Sequence, residues 1–415
     1  MSIRFIHTAD LHLGATFKGL VSSSEVLSEA LTSAVGQTFA AIVDLALREQ
    51  VDFIIIAGDI FDAPQIPYGL QQEFKRQLTR LGEQKIAAYL VTGNHDPLSG
   101  WGSLAQTLPD NTTLFPSGAV TRVEYLHNGE AVAALYGYSY HDRIERGDIA
   151  SLMHAEEGDP LSIGVLHTSV GGAEPYAPSG LTTLKGAGMD YWALGHIHRT
   201  EVLSEAPPVV YAGSPQGLNI NENTEHGCYL VELGAGAPSV EFVPTARIHW
   251  EQLTINCEPF AHPEELQAHL VACANNLVAS RGGHVCARIT LTGRSPLHTK
   301  LQEPGLLSDM QQEIWGECGV GATWFWLDRI IDQTSPMIDE AQIKASGMFA
   351  ATFLQEVAAL AHDSAARQDI TNELTEDLYT YYGKGAKTIV DQIPFENLIE
   401  QAKTHVLDEL LGEGK

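Results

Sequence analysis

Four short apolar runs punctuate the first half of the chain: Ile3-Arg4-Phe5-Ile6, Phe53-Ile54-Ile55-Ile56, Ile86 to Val91, and Ile163-Gly164-Val165-Leu166. Runs this short and this rich in β-branched residues predict buried strands. Between the first two, residues 25–48 carry apolar side chains at helical spacing, among them Leu27, Leu31, Ala34, Phe39, Ile42, Val43 and Ala46. Pro67 opens a second helix that ends near Leu81. Strand and helix signals alternate in this way up to about residue 245, which predicts an α/β domain. After Gly195 the pattern shortens to strands Val209–Tyr211, Gly227–Leu233 and Val240–Val243, the last two divided by the turn Gly234-Ala235-Gly236-Ala237-Pro238. A sheet-on-sheet core flanked by helices fits this order.

From about Ile248 the order strand (Glu251–Asn256), helix (Pro263 to Ser280), strand (Val285–Thr292) suggests a compact α+β unit. Trp324 and Trp326 fall on one strand face there, as core or as a stacking surface for bases. The last eighty residues read as helical. Phe349, Phe353, Val357 and Leu360 form one apolar stripe, and Ile399, Ala402, Val406 and Leu410 form another, between Pro394 and Gly412. Each stripe would cover the protein's own core or dock on a partner. The expected division is 1–245, 246–335 and 336–415.

Polar residues of one chemical kind follow the strands. Asp10 and His12 lie in T-A-D-L-H, Asp59 in A-G-D-I-F-D, Asn94 in G-N-H-D, His167 in V-L-H-T, and His196 and His198 in G-H-I-H. A lone buried histidine or a lone Gly-Asp is usually structural. Independent turns, however, have no reason to supply carboxylate, imidazole and amide oxygen at successive strand ends, where α/β sheets place their chemistry. His7 should point away from the side chain of Ile6 and is expected either to support a ligand from behind or to be structural, without ligating metal itself. The set lacks cysteine, which suits Mn²⁺ or Fe²⁺ and tolerates Zn²⁺.

Asp10-Leu11-His12, Gly58-Asp59, Gly93-Asn94-His95-Asp96, His167 and Gly195-His196-Ile197-His198 together resemble the calcineurin-like metallophosphoesterases. The opening F-I-H-T-A-D-L-H-L-G, G-D-I-F-D, and Y-W-A-L-G-H-I-H with a later Y-A-G-S-P are similar to SbcD-type DNA repair nucleases. L-H-T-S-V-G-G, E-P-Y-A-P and G-C-Y-L-V are similar to their YhaO branch. The resemblance implies a four-layer α/β/β/α sandwich with a smaller α+β capping domain and C-terminal helices. It implies two divalent ions, manganese by preference: Asp10, His12 and His198 would hold one, Asn94, His167 and His196 the other, and Asp59 would bridge them. A carboxylate can span two cations ~3.5–4 Å apart, as two-metal hydrolytic sites require. His95 would face the scissile phosphate, and Asp96 would either orient its ring or cap a turn. Some relatives carry histidine where this chain has Asp62, so that position receives no role.

The expected activity is phosphodiester hydrolysis of DNA, as a 3′-5′ exonuclease and single-strand endonuclease, beside an SMC-like ATPase and with a second copy of the chain as a further partner. The alternatives are a phosphodiesterase acting on nucleotides or other small phosphoesters, and a scaffold for the ATPase.

Charge is the main counterweight. The chain of 415 residues has a formal net charge of −28. Residues 1–245 hold 28 acidic and 12 basic side chains, net −16, and the remainder 24 and 12, net −12. Phosphate binding normally needs clustered cations. Only Lys75-Arg76 with Arg80, the pair Arg143 and Arg146, and Arg281, Arg288 and Arg294 approach that, and each reads as a solvated face. Five cysteines without C-x-x-C spacing argue against a disulfide framework. With no signal-peptide pattern and no run of ~18 apolar residues, a cytoplasmic location without membrane contact is expected.

Overall fold

The computed structural model describes residues 2–15, 25–62, 66–172, 175–318, 323–338, 340–346, 349–362, 365–366, 369–370, 372–373 and 395–411. Two compact units divide it: residues 1–253, 267–290 and 307–331, and residues 254–266, 291–306 and 332–415.

In the first unit, β1 (Ile3–Thr8) is followed by α1 (Glu25–Glu49), β2 (Phe53–Ala57), α2 (Tyr68–Glu83), β3 (Ala87–Val91) and β4 (Thr112–Leu114). The hairpin β5 (Thr121–His127) and β6 (Glu130–Tyr138) precedes β7 (Ser162–His167), α3 (Leu181–Gly186), β8 (Tyr191–Gly195), β9 (Glu201–Glu205) and β10 (Pro208–Tyr211). Next come β11 (Gly227–Leu233) and β12 (Ser239–Pro244). One six-stranded sheet runs β12-β11-β1-β2-β3-β4, the other β5-β6-β7-β8-β10-β9. β1, β2, β3 and β4 pair in parallel, as do β6, β7, β8 and β10. Their C-terminal ends therefore converge on one edge of each sheet.

The pleat sorts the apolar residues into layers. Phe5, Phe53, Ile55, Tyr89 and Val91 pack between the sheets against Leu135, Ile163, Val165, Tyr191 and Ala193. Their chain neighbours Ile6, Ile54, Ile56, Ala88 and Leu90 face the helices, against Phe39, Ile42, Phe74 and Leu78. On the outer face of the second sheet, Tyr136, Leu166, Trp192 and Leu194 pack on Met153 and Leu184. This is the expected four-layer sandwich.

β13 (Ile248–Asn256), α4 (Pro263–Arg281), β14 (His284–Thr292), β15 (Arg294–Ser295), α5 (His298–Leu301), α6 (Leu306–Cys318), β16 (Phe325–Asp332) and β17 (Ser335–Pro336) continue the chain. β13, β14 and β16 form a three-stranded sheet. Within the first unit, Trp326 is buried with its ring 4.9 Å from Trp315, and Trp324 stacks on His284 at 4.4 Å. Trp326 is thus core.

The second unit includes α7 (Glu340–Ser346), α8 (Phe349–His362) and the helix Phe395–Leu411. Its small core is Ala350, Leu354 and Leu407. The buried face of each helix is therefore offset by about one residue from the expected stripe: Phe349 is 71% and Leu410 42% exposed. Pro394 and Gly412 lie outside the described residues. All five cysteines are free, and among the described residues no helix is long and apolar enough to cross a membrane.

Candidate metal centre

Parallel strands end together, so the motifs that follow them meet. The loop after β1 is stitched to the loop after β2 by Asp10 N donating to Gly58 O (3.0 Å), His12 N to Asp59 O (2.9 Å) and Leu13 N to Ile60 O (2.8 Å). Asp10, His12, Asp59 and His196 all take positive φ, at 49°, 48°, 47° and 105°. Such a backbone is costly for residues with a Cβ and concentrates at functional sites. The glycines before three of the candidate ligands are required by close approach. A Cβ at Gly195 would run into the Ala57 carbonyl oxygen, one at Gly93 into the Asp59 carboxylate, and one at Gly58 into the His167 ring.

All seven sequence-selected residues come together. His12 Nε2 lies 3.0 Å from His198 Nε2, and donor atoms of Asp10, His12 and His198 fall within 4.8 Å of one another. His167 Nε2 lies 3.0 Å from Asn94 Oδ1 and 3.4 Å from Asp59 Oδ2, while His196 Nδ1 is 3.2 Å from the same Asn94 oxygen. Asp59 Oδ2 is also 4.0 Å from His12 Nε2, between the two groups. His167 Nδ1 donates to Ala57 O (3.0 Å), which turns its Nε2 toward the cluster. The backbone N–H of His196 donates to both oxygens of Asp10 at 3.1 Å.

The electrostatics match a cation site. Burial opposes ionisation of Asp59, but His167 and His12 outweigh it and hold the carboxyl below the usual range. Burial likewise opposes charge on His167 and His198, yet carboxylates on each side (Asp59 and Asp10; Glu222 and Asp10) push both rings up to about 9. His196, half-buried beside His167, is pushed down to about 3 by that burial and is neutral. For Asp10 burial wins and the carboxyl is raised. The buried Nδ1 of His12 has no hydrogen-bond partner. Buried carboxylates, imidazoles and one amide oxygen converging without cysteine fit divalent first-row metals.

His95 is half exposed beside this cluster. Its N–H donates to Asp59 Oδ1 (2.8 Å), and its ring Nδ1 lies 2.6 Å from Asp62 Oδ1. The hydrogen bond to Asp62 raises the ring's pKa, and the same carboxyl, facing His12 Nδ1 at 3.8 Å and hydrogen-bonded to His95, sits far below its ordinary range. The carboxylate that orients His95 is thus Asp62 and not Asp96. Asp96 is occupied elsewhere: Oδ1 accepts from Gly93 N (2.9 Å) and Oδ2 from Ile60 N (3.1 Å). It caps the turn and ties the loops bearing Asp59 and Asn94, the second of its two expected roles. His7 is buried with Nδ1 2.9 Å from Tyr191 OH, outside the cluster. Burial holds it neutral, near 3. Glu222, unmarked by any motif, lies with Oε1 3.3 Å from His198 Nδ1 and also accepts from Leu218 N and Asn219 Nδ2.

The sandwich, with its chemistry on one edge and this donor set, defines a metallophosphoesterase. The calcineurin-like phosphoesterase family matches residues 3–200, and the middle domain of metallophosphoesterase YhaO matches residues 250–335. The chain is 32% identical over 337 residues to the uncharacterized metallophosphoesterase YhaO of Bacillus subtilis, covering 80% of this chain and 82% of that protein. The chain therefore belongs to the calcineurin-like metallophosphoesterases, in the YhaO-like branch. Similarity extends to the DNA double-strand break repair protein Mre11 of Aeropyrum pernix, 28% identical over 59% of this chain and 61% of that one. It extends also to the D component of the nuclease SbcCD of Bacillus subtilis, 26% identical over 53% of this chain and 63% of that one.

Proposed function

We propose that this metallophosphoesterase is a manganese-dependent DNA nuclease, with Asp10, His12 and His198 holding one ion, Asn94, His167 and His196 the other, and Asp59 touching both. The observation that carries the reading is the convergence of these seven donors beside an Asp62-oriented His95. Bound divalent cations supply Lewis acidity, acidifying water and offsetting phosphoester charge. His95 supplies the proton. Its Nδ1 is held by Asp62, which favours the protonated ring and leaves Nε2 to meet a phosphate oxygen or the departing oxygen. Similarity to nucleases supports DNA as substrate.

On this reading residues 1–245 carry the chemistry, 246–335 select the nucleic acid, and 336–415 dock a partner of the SMC-like ATPase class. Exposed Phe349 and Leu410, with a groove of about 420 Å³ lined by Phe353, Val357, Leu360 and Ala366, support docking. The net charge of −28 favours a second reading, a phosphodiesterase acting on small phosphoesters. The test offers purified protein and Mn²⁺ a labelled DNA and bis(p-nitrophenyl) phosphate in parallel. Cleavage of both supports the first reading, and cleavage of the small ester alone supports the second.

A further inference from the structure

Of the three basic groups in this acidic chain, two have most of their arginines paired with carboxylates. Arg76 pairs with Glu73 at 2.5 Å and Arg80 with Asp44 at 2.6 Å. Arg281 pairs with Glu225 and Glu251, and Arg288 with Asp328 at 2.6 Å. Arg143 and Arg146 are exposed, and among the described residues neither makes an ion pair or side-chain hydrogen bond. Three carboxylates share their loop, but two are engaged. Glu145 accepts from Tyr138 OH (2.7 Å) and Gly147 N (3.0 Å), and Asp148 accepts from Ser151 N.

This loop stands at the metal centre. It leaves the C-terminal end of β6, where the Tyr140 ring lies 5.6 Å from the His167 ring. Ser99 N, just past the Asn94 turn, donates to His141 O (3.2 Å). Glu145 then forms a parallel bridge with Tyr176, with Glu145 N donating to Pro175 O (3.1 Å) and Ala177 N to Glu145 O (2.7 Å). The Tyr176 ring is 4.9 Å from that of His196. A candidate ligand, an aromatic ring and the two arginines are thus linked step by step through Glu145. Ile144, between the arginines, is 51% exposed.

We infer that Arg143 and Arg146 grip the phosphates of a single-stranded nucleic acid leading away from the metal centre, with Ile144 and Tyr176 offering an apolar surface to its bases. The inference rests on the nuclease reading and narrows it. Guanidinium forks match phosphate oxygens, and exposed apolar and aromatic side chains serve unpaired bases rather than a stacked duplex. A diester that only fills the metal centre presents no further phosphates for this loop.

The test compares wild type with Arg143→Ala/Arg146→Ala and Arg143→Lys/Arg146→Lys. Anisotropy of a labelled single-stranded phosphorothioate oligonucleotide is read across a salt series, and kcat/KM is read on the natural oligonucleotide and on bis(p-nitrophenyl) phosphate. Each lost phosphate contact lowers the single-strand salt slope by about 0.7, so the alanine variant should lose about 1.4. Its affinity should fall about tenfold or more, as should the ratio of oligonucleotide to small-ester kcat/KM, while the lysine variant keeps most of the slope. An unchanged slope, or equal loss on both substrates, would overturn the inference and leave the metal-centre reading standing. A wild type that hydrolyses the small ester but cleaves no oligonucleotide overturns the nuclease reading and the inference with it. Tighter binding to blunt duplex than to single strand overturns the single-strand assignment.

Discussion

Asp59→Asn exposes the electrostatics of the centre before any metal is added. The Asp59 carboxylate lies 3.4 Å from His167 Nε2. At an effective dielectric constant of ~20, that separation gives an attraction of ~5 kcal/mol. His167 is fully buried, yet it is pushed up from 6.5 to about 9, a net gain of ~3 kcal/mol for the charged ring. The attraction of Asp59 exceeds that net gain, so replacing it by a neutral amide should return His167 below 6.5. NMR titration of histidine-labelled, chelator-treated protein reads this directly. The stability consequence has a definite sign. Because the folded pKa of His167 lies above the unfolded value, wild type gains stability below pH 6.5 and loses it as pH rises through about 9; the variant should lack that slope. A His167 that still titrates near 9 in Asp59→Asn would refute the reasoning. So would undiminished binding of two Mn²⁺ ions by calorimetry.

His95→Ala should keep both ions and lose ~10²–10⁴-fold in turnover, as expected for a proton donor; loss of metal by elemental analysis would make His95 a ligand instead. Asp62→Asn replaces the charged acceptor that raises His95 with a neutral one, so the alkaline limb of the kcat/KM profile should move to lower pH with metal content unchanged, and an unmoved limb would disconnect the pair. Glu222→Gln should weaken Mn²⁺ binding ~10–100-fold, because the carboxylate that orients His198 becomes an amide; calorimetry showing wild-type affinity would make the contact incidental. Phe349→Asp/Leu410→Asp, both on exposed positions, should leave the melting temperature nearly unchanged while abolishing co-purification with an SMC-like ATPase, and retained association would refute docking.

The strands and the set of converging donor side chains are legible in the sequence because both leave local marks. A run such as Phe53 to Ile56, short and β-branched, suits a strand buried on both faces, and the glycines at 58, 93 and 195 mark where backbone and candidate donor side chains crowd together. Less is legible where the decisive partner lies far away in sequence. Glu222 reaches His198 from 24 residues on, out of a polar turn that carries no periodicity. Asp62 and Asp96 are both carboxylates near His95 in the chain, and only three-dimensional placement shows that Asp96 is consumed by two backbone amides. The β5–β6 hairpin does carry a local mark, Asn128-Gly129, whose φ values of 52° and 87° suit a tight turn, but β5 alternates apolar and polar residues and the run Ala131 to Tyr136 of β6 is rich in alanine, with Val132 its one β-branched residue. The C-terminal stripes miss by one residue in phase, since leucine and phenylalanine mark apolarity on either side of a narrow seam.

The proposed function centres on hydrolysis of the phosphodiester backbone of DNA at a site whose donor set would hold two cations. Chelator-treated protein should be titrated with zero, one and two equivalents of Mn²⁺ while cleavage of a labelled single-stranded oligonucleotide is followed. The expected result is no cleavage without metal and full activity only as the second equivalent is bound, with Asp59→Asn inactive throughout. Cleavage by the metal-free protein, full activity at one equivalent, or no cleavage of the oligonucleotide at any loading would contradict it.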